Sequence, residues 1–174
     1  YVEALRDIPR FAEIAIEALA RNKPIVVLKG GVSEVGAGST VTHTGSLAGT
    51  DAFYQALFDR LGIVRVATPS QMLETLKLLT VAGAPNGKKL VAFTCSGDDA
   101  AMVADGGSLL GLEFPRVSLS ARNTLNELLP PIASVANPLD YTTPLWGKEQ
   151  ALTQVFDALV RDDCDMALLV QDYP

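Results

Sequence analysis

The stretch PIVVLKGGVSEVGAGSTVTHTGSLAGTDAFYQALFDRLGIVRV, residues 24–66, decides the fold. It opens on PIVVLK (24–29), a continuous run rich in β-branched residues, the pattern of a strand covered on both faces in a parallel sheet. A loop rich in glycine and hydroxyl residues runs from Gly30 to about Gly49 and leads into DAFYQALFDRLG, an amphipathic helix stopped by Gly62. IVRV (63–66) is then a second short strand. Strand, helix and strand in that order form the crossover unit that parallel pairing requires.

The same alternation extends outward. Residues 2–5 read as a short strand, and IPRFAEIAIEALARN follows with apolar residues at Ile8, Phe11, Ala12, Ala15, Ile16 and Leu19, a helical spacing with Pro9 tolerated in the first turn. Thr68, Pro69 and Gln71 form a capping-box start for a helix reaching about Ala82. In AGAPNGKK (82–89) glycine, proline and Asn-Gly cluster without periodicity, which marks a domain boundary. Beyond it come a strand in LVAFTCSG, a helix from about 98 to 110, a short strand in FPRVS and a helix near 120–129 that ends at Pro130. A proline-rich loop (130–147), a helix (148–161) and a final strand in DMALLVQ complete the chain. The expected fold class is α/β with mainly parallel sheets, divided into residues 1–84 and 85–174.

Composition narrows the function. With 174 residues, 48% hydrophobic and 20% charged, the chain is a folded globular protein rather than a disordered one. A formal charge of −6 and no basic patch argue against nucleic acid as the main partner. No apolar run approaches the roughly 20 residues of a membrane span, so a soluble cytoplasmic protein is expected. The two cysteines, Cys95 and Cys164, lie far apart, and a single histidine cannot complete a zinc site, so neither a disulfide framework nor a metal centre is expected. The opening YVEAL and closing MALLVQDYP both read as strands rather than natural termini, and a longer polypeptide is expected.

The single histidine, His43, lies in the loop STVTHTGSLAGTD, residues 39–51. Ligands of open parallel sheets collect at the carboxyl ends of strands, where this loop sits. Gly36, Gly38, Gly45 and Gly49 allow close backbone approach, Thr42, Thr44 and Ser46 offer hydroxyls, and the following helix adds unpaired amides and partial positive charge. Histidine there can serve as base, ligand or nucleophile. A phosphoryl-accepting imidazole needs an anion cradle and one partner fixing its tautomer, and Glu3, at the end of the first strand, is the candidate partner. A lone histidine in a polar loop is also a common surface residue, and the residues alone leave both readings open.

The run from Lys23 to Val66, with its Thr-His-Thr-Gly-Ser-Leu-Ala-Gly segment at 42–49, resembles the NDP-forming acyl-CoA synthetases, the superfamily that includes succinyl-CoA synthetase. LLPPIASVANPLDYT, farther on, is similar to the Asn-Pro-x-Asp segment of that family's following domain, so the resemblance spans essentially the whole chain. It implies two flavodoxin-like three-layer α/β/α domains, the first incomplete at its N-terminus. It implies an acid-thiol ligase that converts acid, CoA and ATP into acyl-CoA, ADP and phosphate through an acyl phosphate and a phosphohistidine. His43 would carry the phosphoryl group, Glu3 would hold the imidazole, and Thr42, Thr44, Gly45, Ser96 and Gly97 would bind phosphate. CoA and ATP or ADP with Mg2+ would be used in the full-length enzyme, at sites mostly outside this stretch. The ATP-grasp and CoA-binding domains would lie in the same chain or a partner subunit, and a homo-oligomer stays open. This stretch alone would not turn over.

One feature tempers the resemblance. Where relatives carry a glycine-rich turn after Ser96 and Gly97, this chain has Asp98 and Asp99. Acidic residues suit a helix start but repel phosphate, by roughly 4 kcal/mol for unit charges about 4 Å apart at an effective dielectric near 20. Outward-pointing caps, a bridging magnesium ion and weakened phosphate handling are the three outcomes, the first expected. The alternative function is a catalytically impaired regulatory or interaction module, since some chains of this architecture are fused to acetyltransferase domains and have lost the histidine. A flavodoxin-like flavin binder lacks support, because its phosphate loop belongs directly after an early strand. Lys29, Gly30 and Gly31 border the histidine loop, with a structural role as plausible as a functional one. Asn137 and Asp140 are expected to fix the proline-rich turn.

Overall fold

The computed structural model describes residues 1–38 and 50–171, which form two compact units, Tyr1–Ala84 and Pro85–Pro174. In the first unit, helix α1 (Ile8–Ala20) is capped by Asp7, whose carboxylate accepts the Arg10 amide at 2.9 Å. Strand β1 (Val26–Leu28) pairs in parallel with β2 (Val64–Val66), in the register Val26 with Val64 and Leu28 with Val66. The crossover between them carries α2 (Asp51–Arg60). This helix ends where Gly62 adopts φ +64°, a left-handed conformation that favours glycine. Helix α3 (Pro69–Val81) starts at Thr68, whose hydroxyl accepts the Gln71 amide, while the Gln71 side chain returns to accept from Ala67.

The core of this unit is aromatic and aliphatic: Ala15, Val27, Tyr54, Phe58, Leu61 and Ile63 are buried together. Phe58 is fully enclosed, with Phe11 and Tyr54 edge-on or tilted against it at 6.4 and 6.0 Å. The covering of β1 is less complete than its sequence suggests, since Val27 is buried while Val26 and Leu28 are only half-buried. Along α1, Phe11, Ala12 and Ala15 face the core, whereas Ile16 and Leu19, expected on the same stripe, are exposed.

The second unit is built on a parallel three-stranded sheet in the order β4–β3–β5: β3 is Leu90–Thr94, β4 is Leu139–Asp140 and β5 is Met166–Leu169. Every residue of β3 is buried, as expected of a central parallel strand. Helices α4 (Gly97–Leu109), α5 (Leu119–Leu128) and α6 (Glu149–Val160) connect the strands, and a 3₁₀ turn (Thr143–Leu145) follows β4. Phe93, Leu125, Leu139, Val155 and Leu159 anchor the core, and Phe156 packs tilted against Phe93 with ring centroids 4.5 Å apart. Both cysteines are free.

Two segments depart from the sequence reading. Residues 2–5 form no strand beyond a single parallel bridge between Val2 and Lys29. FPRVS is not a strand either: Glu113 alone bridges Lys89, Pro115 has no N–H to give, and the Ser118 amide is taken by the Asp162 carboxylate at 2.8 Å. The Pro115 carbonyl is instead held by Asn137.

Asn137 therefore does the work of a strand with its side chain. Its Oδ1 accepts from Ala92 N at 3.0 Å, and its Nδ2 donates to Leu90 O at 2.9 Å and Pro115 O at 3.2 Å, just ahead of a cis bond to Pro138. Asp140 closes the next turn by accepting the Thr142 amide at 2.9 Å. Because unpaired backbone groups at buried β3 cost about 1–3 kcal/mol each, Asn137→Ala is expected to destabilise the protein by about 3 kcal/mol or more, read as a lowered urea midpoint. Asn137→Asp, which sets a carboxylate oxygen against the Leu90 and Pro115 carbonyls, should be at least as destabilising at neutral pH.

Candidate functional site

The carboxyl edge of β1 gathers the first group of site residues. Val2 N donates to Leu28 O at 3.0 Å and Gly30 N to Val2 O at 2.9 Å, so the N-terminal segment runs parallel to β1 and delivers Glu3 to that edge. The Tyr54 hydroxyl accepts the Leu5 amide at 3.1 Å and ties the segment to α2. A Cβ at Gly30 would meet the hydroxyl of the exposed Tyr1 ring, which would have to swing aside.

Lys29 follows the last residue of β1 and is buried as a residue. It donates to the Gly30 carbonyl and lies 4.7 Å from the centre of the Tyr54 ring. Burial depresses its pKa below the usual 10.5; the field of Asp51 opposes that shift, Arg65 adds to it and Glu3 opposes it. Asp51 is itself paired with Arg65 at 2.6 Å, and Arg65 also donates to Gln55 Oε1 at 2.9 Å. The edge thus holds two carboxylates and two cations. The sequence signal for Lys29 was weak: a lysine closing an apolar run reads as an ordinary strand end.

The linkage has a definite sign. A lysine whose folded-state pKa lies below 10.5 binds its proton more tightly when unfolded, so its contribution to stability rises as pH climbs from the folded value towards 10.5.

In the second unit the site residues stand at the start of α4, beyond the carboxyl end of β3. Ser96 is extended, with φ −142° and ψ 153°, and caps the helix: its hydroxyl accepts the Asp99 amide at 3.2 Å and donates to the Asp99 carboxylate at 2.7 Å. Thr94 Oγ1 supports the turn by donating to Ser96 O at 2.8 Å. Asp99 is turned onto the cap, and Asp98 is exposed. The amides of Gly97 and Asp98 have no partner among the described residues, and the space where a Cβ of Gly97 would sit is open to 4 Å. Two donors at a positive helix end are a ready acceptor site for an anion's oxygens.

Of the residues singled out in the sequence, Glu3, Ser96 and Gly97 are placed as above. His43, Thr42, Thr44 and Gly45 lie outside the described residues. Among the described residues no group of three or more His, Cys, Asp or Glu is placed to hold a metal ion, and no helix is long and apolar enough to cross a membrane.

Parallel α/β architecture with a glycine-flanked loop after β1 defines a flavodoxin-like class, and residues 1–79 match the succinyl-CoA ligase like flavodoxin domain. The chain is 32% identical over 149 residues to the alpha subunit of ADP-forming acetate–CoA ligase II of Pyrococcus furiosus, covering 86% of this chain and 32% of that one. It is 34% identical over 140 residues to the ADP-forming acetate–CoA ligase of Methanocaldococcus jannaschii, covering 80% and 20%. The solved dinucleotide forming acetyl-coenzyme A synthetase 1 of Ca. Korarchaeum cryptofilum, in complex with phosphate and ADP, superposes with a TM-score of 0.85 at 28% identity, over 97% of this chain and 36% of that one. The first 79 residues thus match a succinyl-CoA ligase like flavodoxin domain, most of the chain is similar to ADP-forming acetate–CoA ligases, and it spans between a fifth and about a third of the length of these relatives.

Ser96→Ala removes the cap of α4 and is expected to cost about 1 kcal/mol, within the usual 0.5–2 for such caps, measured by chemical unfolding. Lys29→Met should abolish the alkaline rise in stability described above, seen as a flatter unfolding free energy between neutral pH and pH 10.5.

Proposed function

We propose that the chain is the phosphohistidine-bearing portion of an ADP-forming acyl-CoA synthetase, an acid-thiol ligase, with each unit a flavodoxin-like three-layer α/β/α domain. The observation that carries this reading is the parallel bridge of Val2 to Lys29, which holds Glu3 at the edge from which the His43 loop departs. In the first half-reaction a ring nitrogen of His43 attacks the terminal phosphorus of ATP and ADP leaves. A carboxylate substrate then takes the phosphoryl group as an acyl phosphate, freeing the imidazole. The CoA thiol attacks the acyl carbon, phosphate departs with the bonding pair, and the thiol proton goes to solvent.

Phosphoryl transfer depends on positioning and on stabilising charge. Glu3 is assigned to the imidazole N–H away from phosphorus, fixing the tautomer. Thr42, Thr44 and Gly45 are assigned to phosphoryl oxygens in the first unit. In the second unit the open amides of Gly97 and Asp98, at the turn set by Ser96, are assigned to phosphate. The Ser96–Asp99 hydrogen bond supports this assignment, because it turns one carboxylate onto the cap. CoA, the nucleotide and the Mg2+ that accompanies it are assigned to ATP-grasp and CoA-binding domains in the same polypeptide or a partner subunit. A cytoplasmic location fits these substrates, and a homo-oligomer is compatible with them.

A second reading, a regulatory module with impaired chemistry, is favoured by one observation: Asp98 leaves an exposed carboxylate at the turn where phosphate would bind. Labelling separates the two. Full-length protein incubated with γ-labelled ATP is expected to carry acid-labile, alkali-stable phosphate that disappears in His43→Ala. In Glu3→Gln its formation should slow by about a hundredfold or more, the scale on which losing a tautomer-fixing carboxylate acts. A folded, nucleotide-binding protein that takes up no label is the regulatory module.

A further inference from the structure

Thr142 carries two costs at one position. Its backbone has φ +66° and ψ 151°, a region that glycine occupies freely and a β-branched residue does not. Its hydroxyl oxygen is buried and has no hydrogen-bond partner among the described residues, and a buried polar atom left unpaired is destabilising. The conformation is imposed from both sides: Asp140 accepts the Thr142 amide at 2.9 Å, and the Leu145 amide donates to the Thr142 carbonyl at 3.2 Å. Glycine at this position would remove both costs and keep both of those bonds. The turn by itself therefore gives no reason for a threonine.

The place of Thr142 in the sheet supplies one. β3 and β4 pair in parallel with Thr94 opposite Asp140, and the Tyr141 amide continues the ladder by donating to Thr94 O at 2.9 Å. Continuing that register, Thr142 falls opposite Ser96, and neighbouring strands run about 4.8 Å apart. Ser96 opens the turn whose Gly97 and Asp98 amides are assigned to phosphate. Thr142 is only half-buried as a residue, so rotation about its Cα–Cβ bond carries the hydroxyl from the closed side towards the carboxyl edge of the sheet. We propose that Thr142 is a phosphate-binding residue of the second unit, its hydroxyl donating to an oxygen of the anion held by the amides at the start of α4. The hydroxyl then gains its partner only when phosphate is present. The proposal rests on the reading that this turn binds phosphate, and it is independent of the histidine loop.

The test uses the full-length protein with any partner subunit and inorganic phosphate as the probe. It reads the phosphate dissociation constant, the KM for phosphate in the direction that consumes acyl-CoA and ADP, and the thermal midpoint without ligand. Thr142→Val keeps the shape and loses the donor; both constants are expected to rise by about tenfold or more, the scale of a hydrogen bond to a charged group, with the midpoint not lowered. Thr142→Ser keeps the donor and should leave both constants close to those of the parent. Thr142→Gly is expected to raise the midpoint and to bind phosphate as weakly as Thr142→Val. Gly97→Pro removes one of the α4 amides at a position where proline suits a helix start, and is expected to weaken phosphate binding as well. If Thr142→Val handles phosphate like the parent while Gly97→Pro does not, the proposal is overturned, as it is by an equal loss in Thr142→Val and Thr142→Ser. If Thr142→Val does not fold, Thr142→Gly is read by the same constants. Phosphate binding unchanged in both Gly97→Pro and Thr142→Val overturns the reading that phosphate occupies this turn, a result distinct from a failure at Thr142 alone.

Discussion

Two backbone hydrogen bonds, Val2 N to Leu28 O and Gly30 N to Val2 O, set the geometry on which the first unit's site depends. They fasten an N-terminal segment that forms no regular strand to the end of β1, and they fix which residue of that segment stands at the carboxyl edge. Slipping the pairing by one residue would turn Glu3 to the opposite face. The Tyr54 hydroxyl accepting the Leu5 amide holds the register from the α2 side. Tyr54 is itself locked in the aromatic core with Phe58, so packing under the sheet is transmitted to the position of a carboxylate at its rim.

The electrostatics at the two strand ends are arranged differently. At β1, carboxylates are balanced by cations: Arg65 pairs with Asp51, and the buried Lys29 donates to the Gly30 carbonyl beside the Tyr54 ring. At β3, among the described residues, the helix end offers two amides without a partner, while the acidic residues that sequence alone makes troublesome are divided, Asp99 bound by the Ser96 hydroxyl and Asp98 facing solvent. A hydrogen bond to Ser96 disperses some of the Asp99 charge and holds its oxygen in one place, so the helix gains its cap with one carboxylate fixed.

Much of the architecture was legible in local chemistry. The helix starts at Thr68 and Ser96 and the stop at Gly62 follow from capping and left-handed preference, and the buried run LVAFT announced a central parallel strand. Other features depended on partners distant in sequence. β4 is only Leu139–Asp140, hidden in a proline-rich loop, and it pairs with β3 because the Asn137 side chain first occupies the backbone groups of Leu90 and Ala92. FPRVS has strand-like residues but loses its ladder to Pro115 and to side chains from elsewhere. In the site, the adjacency of Glu3 to the end of β1 followed from parallel pairing. The burial of Lys29 did not, because it requires Tyr54 to arrive from α2 and close over a residue that reads as a strand end.

The central claim, that Glu3 at this edge orients a phosphate-accepting imidazole, is tested most directly by the regiochemistry of the phosphorylated protein. A phosphorus NMR spectrum of the full-length protein after ATP treatment, assigned with the aid of His43→Ala, distinguishes phosphate on Nε2 from phosphate on Nδ1. With Glu3 holding one ring N–H, a single phosphoramidate isomer at His43 is predicted in the parent and a mixture of both isomers in Glu3→Gln. A mixture in the parent, or the same single isomer in Glu3→Gln, would contradict it.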